Sequence, residues 1–157
     1  MTKSSLPPFH YSLRKTGEKY YILDILRRRY VKLTPEEWVR QHFVNYLITN
    51  KGYPRAYLAN EVEILVGEKK LRCDTILYDK SLQPLAIIEY KAPHVKLDEK
   101  VFQQVTSYNS LLHVRYLFLS NGEHHIVCEA DYERHEYTLL PDIPDYASLS
   151  QETFCHG

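Results

Sequence analysis

Apolar residues recur at two different periods along the chain, and the switches between them divide it into elements. Val39, Phe43, Tyr46 and Leu47 fall three or four apart, the spacing of one helix face. Ahead of them, Thr34-Pro35-Glu36-Glu37 offers an N-cap, a proline at the first helical position and an acid at the third, and Asn50-Lys51-Gly52 with Pro54 offers a stop. The pattern predicts a helix from about 35 to 50. Three strand-like segments follow, Glu61 to Val66, Lys70 to Tyr78 and Leu85 to Lys91, joined by short turns at Gly67-Glu68 and Asp79-Lys80-Ser81. Helical spacing returns between Leu97 and Leu112, with Val101, Val105, Tyr108 and Leu112 on one face. Tyr116 to Ser120 reads as a strand, Asn121-Gly122 as a hairpin turn and His125 to Glu129 as the return strand. Tyr137 to Leu140 adds an edge strand.

The two ends are less regular. From Pro7-Pro8 to Gly17 no period is sustained, and the stretch reads as an arm. Tyr20 to Leu26 fits strand, turn or short helix equally well before Arg27-Arg28-Arg29 interrupts it. Beyond Pro141 and Pro144 the polar residues read as a loosely held tail. The expected organisation is a basic arm over 1–33 packing on the core, a domain over 34–140 and an acidic tail over 141–157.

With 157 residues, 44% hydrophobic and 25% charged, the chain has the make-up of one globular domain with a core and has no room for a motor. Lys+Arg 20 balances Asp+Glu 20, which argues against a general nucleic-acid coat holding phosphates by bulk positive charge. The charge is unevenly placed. Residues 1–32 carry eight Lys/Arg against Glu18 and Asp24, a surplus of six, whereas eight acids from Glu123 onward face Arg134 alone. Either a basic contact arm or docking of one end on the other accounts for this. Apolar runs such as Leu85 to Ile88 are only four residues long, so no membrane segment is expected. Cys73, Cys128 and Cys155 form an odd set without CxxC spacing and no leader precedes them, so a reduced, cytoplasmic protein is expected. The cysteines read as core thiols and the fourteen tyrosines as core and rim aromatics. Adjacent His124 and His125 point to opposite faces of a strand, and structural zinc is not expected.

The candidate chemistry lies where the second and third strands pair. Glu89 and Lys91, two apart on a strand, share a face. If the intervening turn joins Tyr78 to Pro84 or Leu85, Asp74 lies opposite Ile88 or Glu89, and facing carbons are roughly 5 Å apart. Two carboxylates that close repel unless a cation separates them. One or two carboxylates completed by water and a substrate phosphate suit Mg²⁺, which stabilises phosphodiester charge and sharpens an attacking water. Lys91 would hold that water or meet the developing charge. Glu and Lys alternating on a strand also commonly form an exposed ion pair of no consequence. Here Leu85-Ala86-Ile87-Ile88 marks a central strand, where such residues are seldom placed without a purpose.

These residues resemble the PD-(D/E)xK nuclease superfamily. More narrowly, the chain is similar to the amino-terminal nuclease domain of type I restriction enzyme R proteins (HsdR), including short stand-alone forms. The matching phrases are Leu33-Thr34-Pro35-Glu36-Glu37-Trp38-Val39-Arg40-Gln41, Arg72-Cys73-Asp74, Ile88-Glu89-Tyr90-Lys91-Ala92-Pro93, the Gln-x-x-x-Tyr of Gln104 and Tyr108, and Ser120-Asn121-Gly122. The resemblance implies a restriction-endonuclease-like α/β fold, an α-β-β-β-α-β core with a mixed central sheet flanked by helices, which agrees with the element order above. It also implies Mg²⁺-dependent cleavage of DNA, with Mn²⁺ as a substitute. Asp74 and Glu89 would bind the metal, with the Tyr90 carbonyl as a further ligand, and Lys91 would position the water. Gln104 and Tyr108, four apart on one helix face, would support the catalytic site or contact the phosphate backbone. Glu37 is read two ways, as an acid holding the metal through water or as the capping-box acid. Arg27, Arg28, Arg29 and Lys32 are either a DNA-backbone patch or a solvated basic turn.

Cys73 stands where the superfamily has proline. No G-x-x-x-x-G-K-[ST] phosphate loop occurs in these residues, so no ATP site is expected. The expected function is a DNA endonuclease of a restriction, defence or repair system, working with a specificity or motor subunit or as a homodimer. The alternatives are a non-catalytic module of the same fold that binds nucleic acid or a partner, and an enzyme acting on another phosphate compound.

Overall fold

The computed structural model describes residues 2–3 and 6–149. Its main body is a mixed sheet with one helix on each face. The strands are β1 (Thr2–Lys3), β5 (Leu58–Val66), β6 (Lys69–Tyr78), β7 (Pro84–Tyr90), β8 (Tyr116–Ser120), β9 (His124–Asp131) and β10 (Glu136–Leu139). Three more, β2 (Leu13–Thr16), β3 (Lys19–Asp24) and β4 (Arg29–Lys32), form a separate antiparallel sheet. The two long helices among the described residues are α1 (Pro35–Lys51) and α2 (Glu99–Leu112); a short 3-10 turn at Arg55–Tyr57 and a helical turn at 146–149 complete them.

The main sheet runs β1-β9-β8-β7-β6-β5, with β10 also pairing to β9. All neighbours are antiparallel except β7 and β8. That parallel pair requires a crossover, and α2 supplies it. The expected mixed α/β architecture, with its α-β-β-β-α-β order, is the one observed.

Local chemistry sets the helix ends as the sequence leads one to expect. The Thr34 hydroxyl accepts from the Glu37 amide at 3.0 Å, and Gly52 closes α1 in the left-handed region at φ 73. Asp98 caps α2 by accepting from the Val101 amide at 3.0 Å. Two hydrophobic layers hold the helices to the sheet. Val39, Phe43 and Leu47 of α1 pack on Leu77, Ile88, Tyr90 and Phe118, whereas Val105 of α2 packs with Cys73, Ile76, Ile87 and Leu119 on the other face. Both Cys73 and Cys128 are buried and free, as core thiols; Cys155 lies outside the described residues.

Two regions depart from the sequence reading. The stretch expected to be an arm contains β2, and the undecided Tyr20–Leu26 contains β3. All four residues of β2 are exposed, so no apolar alternation betrays the strand; its partner β3 supplies the buried anchors Ile22 and Asp24. The segment after Pro141 is not loosely held over its described part. Ile143, Tyr146 and Leu149 recur at helical spacing and are buried in the α1-side layer, and Pro144 O accepts from the Tyr53 hydroxyl at 2.8 Å. Among the described residues no ion pair joins residues 6–32 to residues 123–149.

Candidate functional site

The site forms where β6 and β7 emerge between the two helical layers. A bulge between Leu77 and Tyr78 changes their register, so Tyr78 pairs with Pro84 but Thr75 pairs with Ile88. Both alternatives read from the turn therefore occur, and the second, continued by one residue, sets Asp74 across from Glu89. Asp74 also lies where β5 and β6 separate. Glu61, opposite it, has φ 55, and regular pairing stops at Asn60↔Thr75 and resumes at Val62↔Cys73. The broken ladder frees Asp74 to turn toward β7, where its Oδ2 accepts from the Tyr90 amide at 2.9 Å.

The two acids interact directly. Burial, and then the Asp74 charge together with a side-chain hydrogen bond to Asp74, drives the Glu89 carboxyl far above the ordinary range, while Lys91 pulls it back. The Lys91 charge thus bears on Glu89. Glu89 Oε1 is buried and has no hydrogen-bond partner. An orphaned carboxylate oxygen beside a second carboxylate, with an ammonium nearby, is the donor set a hard divalent cation would satisfy. Among the described residues no three His, Cys, Asp or Glu side chains converge as a metal cluster, so such an ion would draw further ligands from a backbone carbonyl, water or phosphate. Tyr90 is on β7 between the two functional side chains, and its hydroxyl donates to Thr75 Oγ1 at 2.9 Å on the opposite face.

Tyr108 reaches this cluster from α2. Its hydroxyl donates to the Arg72 carbonyl, and burial, with Cys73, Glu89 and Asp74 nearby, raises its pKa. Burial and then Glu89 push the neighbouring Cys73 thiol up to about 12, so this cysteine is not a thiolate nucleophile. Gln104 is exposed and lines an open groove with Tyr108, Lys100 and Ser107.

The first helix contributes differently from either expectation for Glu37. Its backbone amide takes the Thr34 cap, but its buried carboxylate accepts from Arg27 Nη2 at 2.9 Å, Arg40 Nε at 2.9 Å, Arg40 Nη2 at 2.7 Å and Gln41 Nε2 at 3.0 Å. Four donors fill its lone pairs and leave none open for a metal-bound water. Arg27 is correspondingly committed, to Asp24 and to Glu37. Arg28, Arg29 and Lys32 are exposed, and Lys32 lines a cleft of about 310 Å³ together with Glu36, Arg40 and Asp74.

The sequence reading gave no role to Arg40 or Glu61. Arg40 also binds Glu61 at 2.8 Å and donates through Nη1 to the Asp74 carbonyl at 2.8 Å. Burial opposes its charge, but hydrogen bonds and charge from Glu37 and then Glu61 hold it firmly protonated. The signal was present as an acid and an arginine three apart on a helix, the spacing of a facing pair. Behind this network, Asn60 donates to both Asp24 oxygens and Thr75 donates to Asn60 Oδ1 at 2.6 Å, so a buried polar chain ties β3 to β5, β6 and Tyr90.

A family model described as "Type I restriction enzyme R protein N terminus (HSDR_N)" matches residues 35–144, the greater part of the chain. Among solved structures, a fragment described as an HsdR subunit of a type I restriction enzyme from Vibrio vulnificus YJ016 is similar at TM-score 0.54 and 20% identity, covering 79% of this chain and 26% of that one. The DrdV-DNA complex is similar at TM-score 0.46 and 19% identity, covering 77% of this chain and 12% of that one. The chain thus spans about a quarter of the first of these. The curated proteins contain no match. Among the described residues, no helix is long and apolar enough to cross a membrane.

Proposed function

The chain belongs to the type I restriction enzyme R protein N-terminus (HSDR_N) family, and from that premise we propose that it is a metal-dependent endonuclease of the PD-(D/E)xK type that hydrolyses phosphodiester bonds in DNA, within a restriction, defence or repair system. The observation that carries this reading is the juxtaposition of Asp74 with the buried Glu89, whose Oε1 has no partner, beside Lys91. A Mg²⁺ ion, or Mn²⁺ in its place, would supply Lewis acidity toward the phosphate and lower the pKa of bound water. Asp74 and Glu89 would hold it with the Tyr90 carbonyl.

Lys91 then orients the attacking water and offers positive charge to the oxygens of the transition state. Glu89 would hold such a cation as a carboxylate, its buried Oε1 having no other partner. Tyr108 fixes the edge of β6 through Arg72, and Gln104 on the same helix face contacts the substrate backbone. Arg28, Arg29 and Lys32 add contacts to phosphates along the approach to the cleft, whereas Arg27 and Glu37 act through Arg40 rather than on the substrate. In this reading residues 34–140 are the nuclease unit, 1–33 a basic segment packed on it and 141–157 an acidic segment whose described part packs in the α1-side layer through Ile143, Tyr146 and Leu149. Any motor or specificity element would lie outside these residues; a two-fold dimer would allow both strands to be cut.

The test is incubation with plasmid and linear DNA under Mg²⁺, Mn²⁺ or EDTA, for the native chain, Asp74→Ala and Lys91→Ala. Cutting that needs the metal and is lost in both variants supports the assignment. Equal cutting by all three removes it, and DNA binding without cutting under every condition would make the chain a binding module.

A further inference from the structure

The β2–β3–β4 sheet has a face for which the catalytic site gives no account. Directly paired residues on antiparallel strands lie side by side on one face, so the register sorts them. Leu13, Ile22 and Val31 form one row, on the face that also holds Asp24; Ile22 and Asp24 are wholly buried, so this face looks inward. The opposite face carries the row Arg14, Tyr21, Lys32, with Lys19 two residues from Tyr21 and Tyr30 beside Leu23. Arg14, Lys19 and Lys32 are exposed, and no strand residue on this face is acidic.

Strands about 4.8 Å apart put Arg14 and Lys32 about 10 Å from each other, with Lys19 roughly 7–8 Å diagonally from both. Three cations so spread, with no carboxylate among them, match a line of phosphates better than a single anion. On this face the Arg14 guanidinium covers Tyr30, 4.1 Å from the centre of its ring, and Tyr21 is half-buried within the row. Recognition would therefore be of backbone, not of stacked bases. Lys32 belongs both to this face and to the cleft that contains Asp74, so the cationic surface leads into the candidate site.

We propose that the outward face of β2–β3–β4 is a binding surface for the backbone of duplex DNA, with Arg14 and Lys19 as its outer contacts and Lys32 as its junction with the cleft. That the bound segment flanks the bond to be cut rests on the nuclease reading; the binding itself does not. The surface is sequence-independent, and its affinity falls steeply with salt.

The test measures fluorescence anisotropy of labelled duplex DNA in EDTA over a range of salt, with a single-stranded oligonucleotide and a duplex RNA in parallel. Arg14→Gln/Lys19→Gln is compared with Lys80→Gln/Arg134→Gln, which removes the same charge from exposed turns at the far end of the main sheet. The first variant should weaken duplex binding about tenfold near 0.1 M salt and flatten the log K against log salt plot by about two units, one per cation. The second should leave both near native, and Arg14→Lys/Lys19→Arg should restore binding. Equal effects from the two removals, an unchanged slope, an effect confined to single-stranded DNA or RNA, or no duplex binding by the native chain would overturn the proposal. Duplex binding through this face by a native chain that never cuts sinks only the nuclease reading.

Discussion

Arg40 on the first helix donates to the backbone carbonyl of Asp74 on β6 at 2.8 Å while its other nitrogens bind Glu37 and Glu61. A helix side chain thereby grips the main chain of the residue that faces Glu89. The bond forms where the β5–β6 ladder is broken, so the arginine replaces pairing that the strands themselves do not provide.

Arg40→Ala should be strongly destabilising, because it strands the buried Glu37 carboxylate and frees the Asp74 carbonyl. Breaking a buried pair from one side costs about 3–5 kcal/mol. Arg40→Lys keeps one charge but loses the fork that joins two carboxylates and a carbonyl, so it should cost less in stability yet still impair metal binding. Chemical denaturation together with calorimetric titration of Mn²⁺ separates the two effects. Native metal affinity in a folded Arg40→Lys chain would refute the positioning role.

Glu89 sets the pH response of the metal-free protein. Its folded pKa is raised, first by burial and then by Asp74, so the folded state holds a proton that the unfolded state releases. The stabilisation is complete below the ordinary glutamate range and fades as pH rises toward the folded value. Glu89→Gln, which cannot ionise, should remove that decline and melt higher than the native chain at pH 8 in EDTA. Each pH unit within the window is worth at most about 1.4 kcal/mol, and about 2–4 °C follows per kcal/mol for a chain of this size. Asp24 and Glu61 are shifted downward, the former by Arg27 and Asn60 and the latter by Arg40 and Arg72, all against burial, so their contribution is lost only on the acid side. Adding Mn²⁺ should stabilise the native chain more as pH rises and leave Glu89→Gln almost unmoved. A flat native profile would contradict the buried carboxyl.

The sequence carried the main sheet and the acid pair because both obey local rules. Capping residues and helical spacing marked α1 and α2, and the alternation within Leu85 to Lys91 put Glu89 and Lys91 on one face. What escaped was set by contacts distant along the chain. Leu13 to Thr16 has no buried residue to show its period, and becomes a strand only because β3 lies beside it. Glu37 reads as a cap or a ligand until Arg27, ten residues earlier, folds back onto it. Glu61 gives no hint of its left-handed backbone, since glutamate rarely adopts it and only the bend beside Asp74 requires it.

The buried chain from Asp24 through Asn60 and Thr75 to Tyr90 should control whether the β2–β3–β4 sheet stays docked. Asn60→Leu removes two donors from a wholly buried carboxylate. Hydrogen bonds to charged groups are worth about 1.5–3 kcal/mol, and the loss should appear in hydrogen exchange as faster labelling across residues 19–24. Tyr90→Phe removes only the terminal hydroxyl and should cost about 1 kcal/mol with little change in that segment. Equal labelling in both variants would mean that apolar contacts through Ile22 hold the sheet.

Lys91→Met should separate binding from turnover. The ammonium lies near enough to Glu89 to lower its pKa, and Lys91 N–H also binds the Ser120 carbonyl at 2.9 Å. The substitution keeps that backbone bond and most of the side chain's apolar length, so the fold and the strand pairing should persist. Two consequences follow from losing the charge. Glu89 becomes harder to deprotonate, so the metal should bind more weakly at neutral pH and recover as pH rises. Removal of one group that stabilises transition-state charge typically costs about 10²–10³ in rate, and that loss should remain after metal is brought to saturation. Single-turnover cleavage of end-labelled DNA at saturating Mn²⁺, with duplex affinity measured in Ca²⁺, reads both. A rate restored by excess metal would assign Lys91 to tuning the acids alone; a deficit that survives saturation, with duplex affinity unchanged, assigns it to the water and the phosphate.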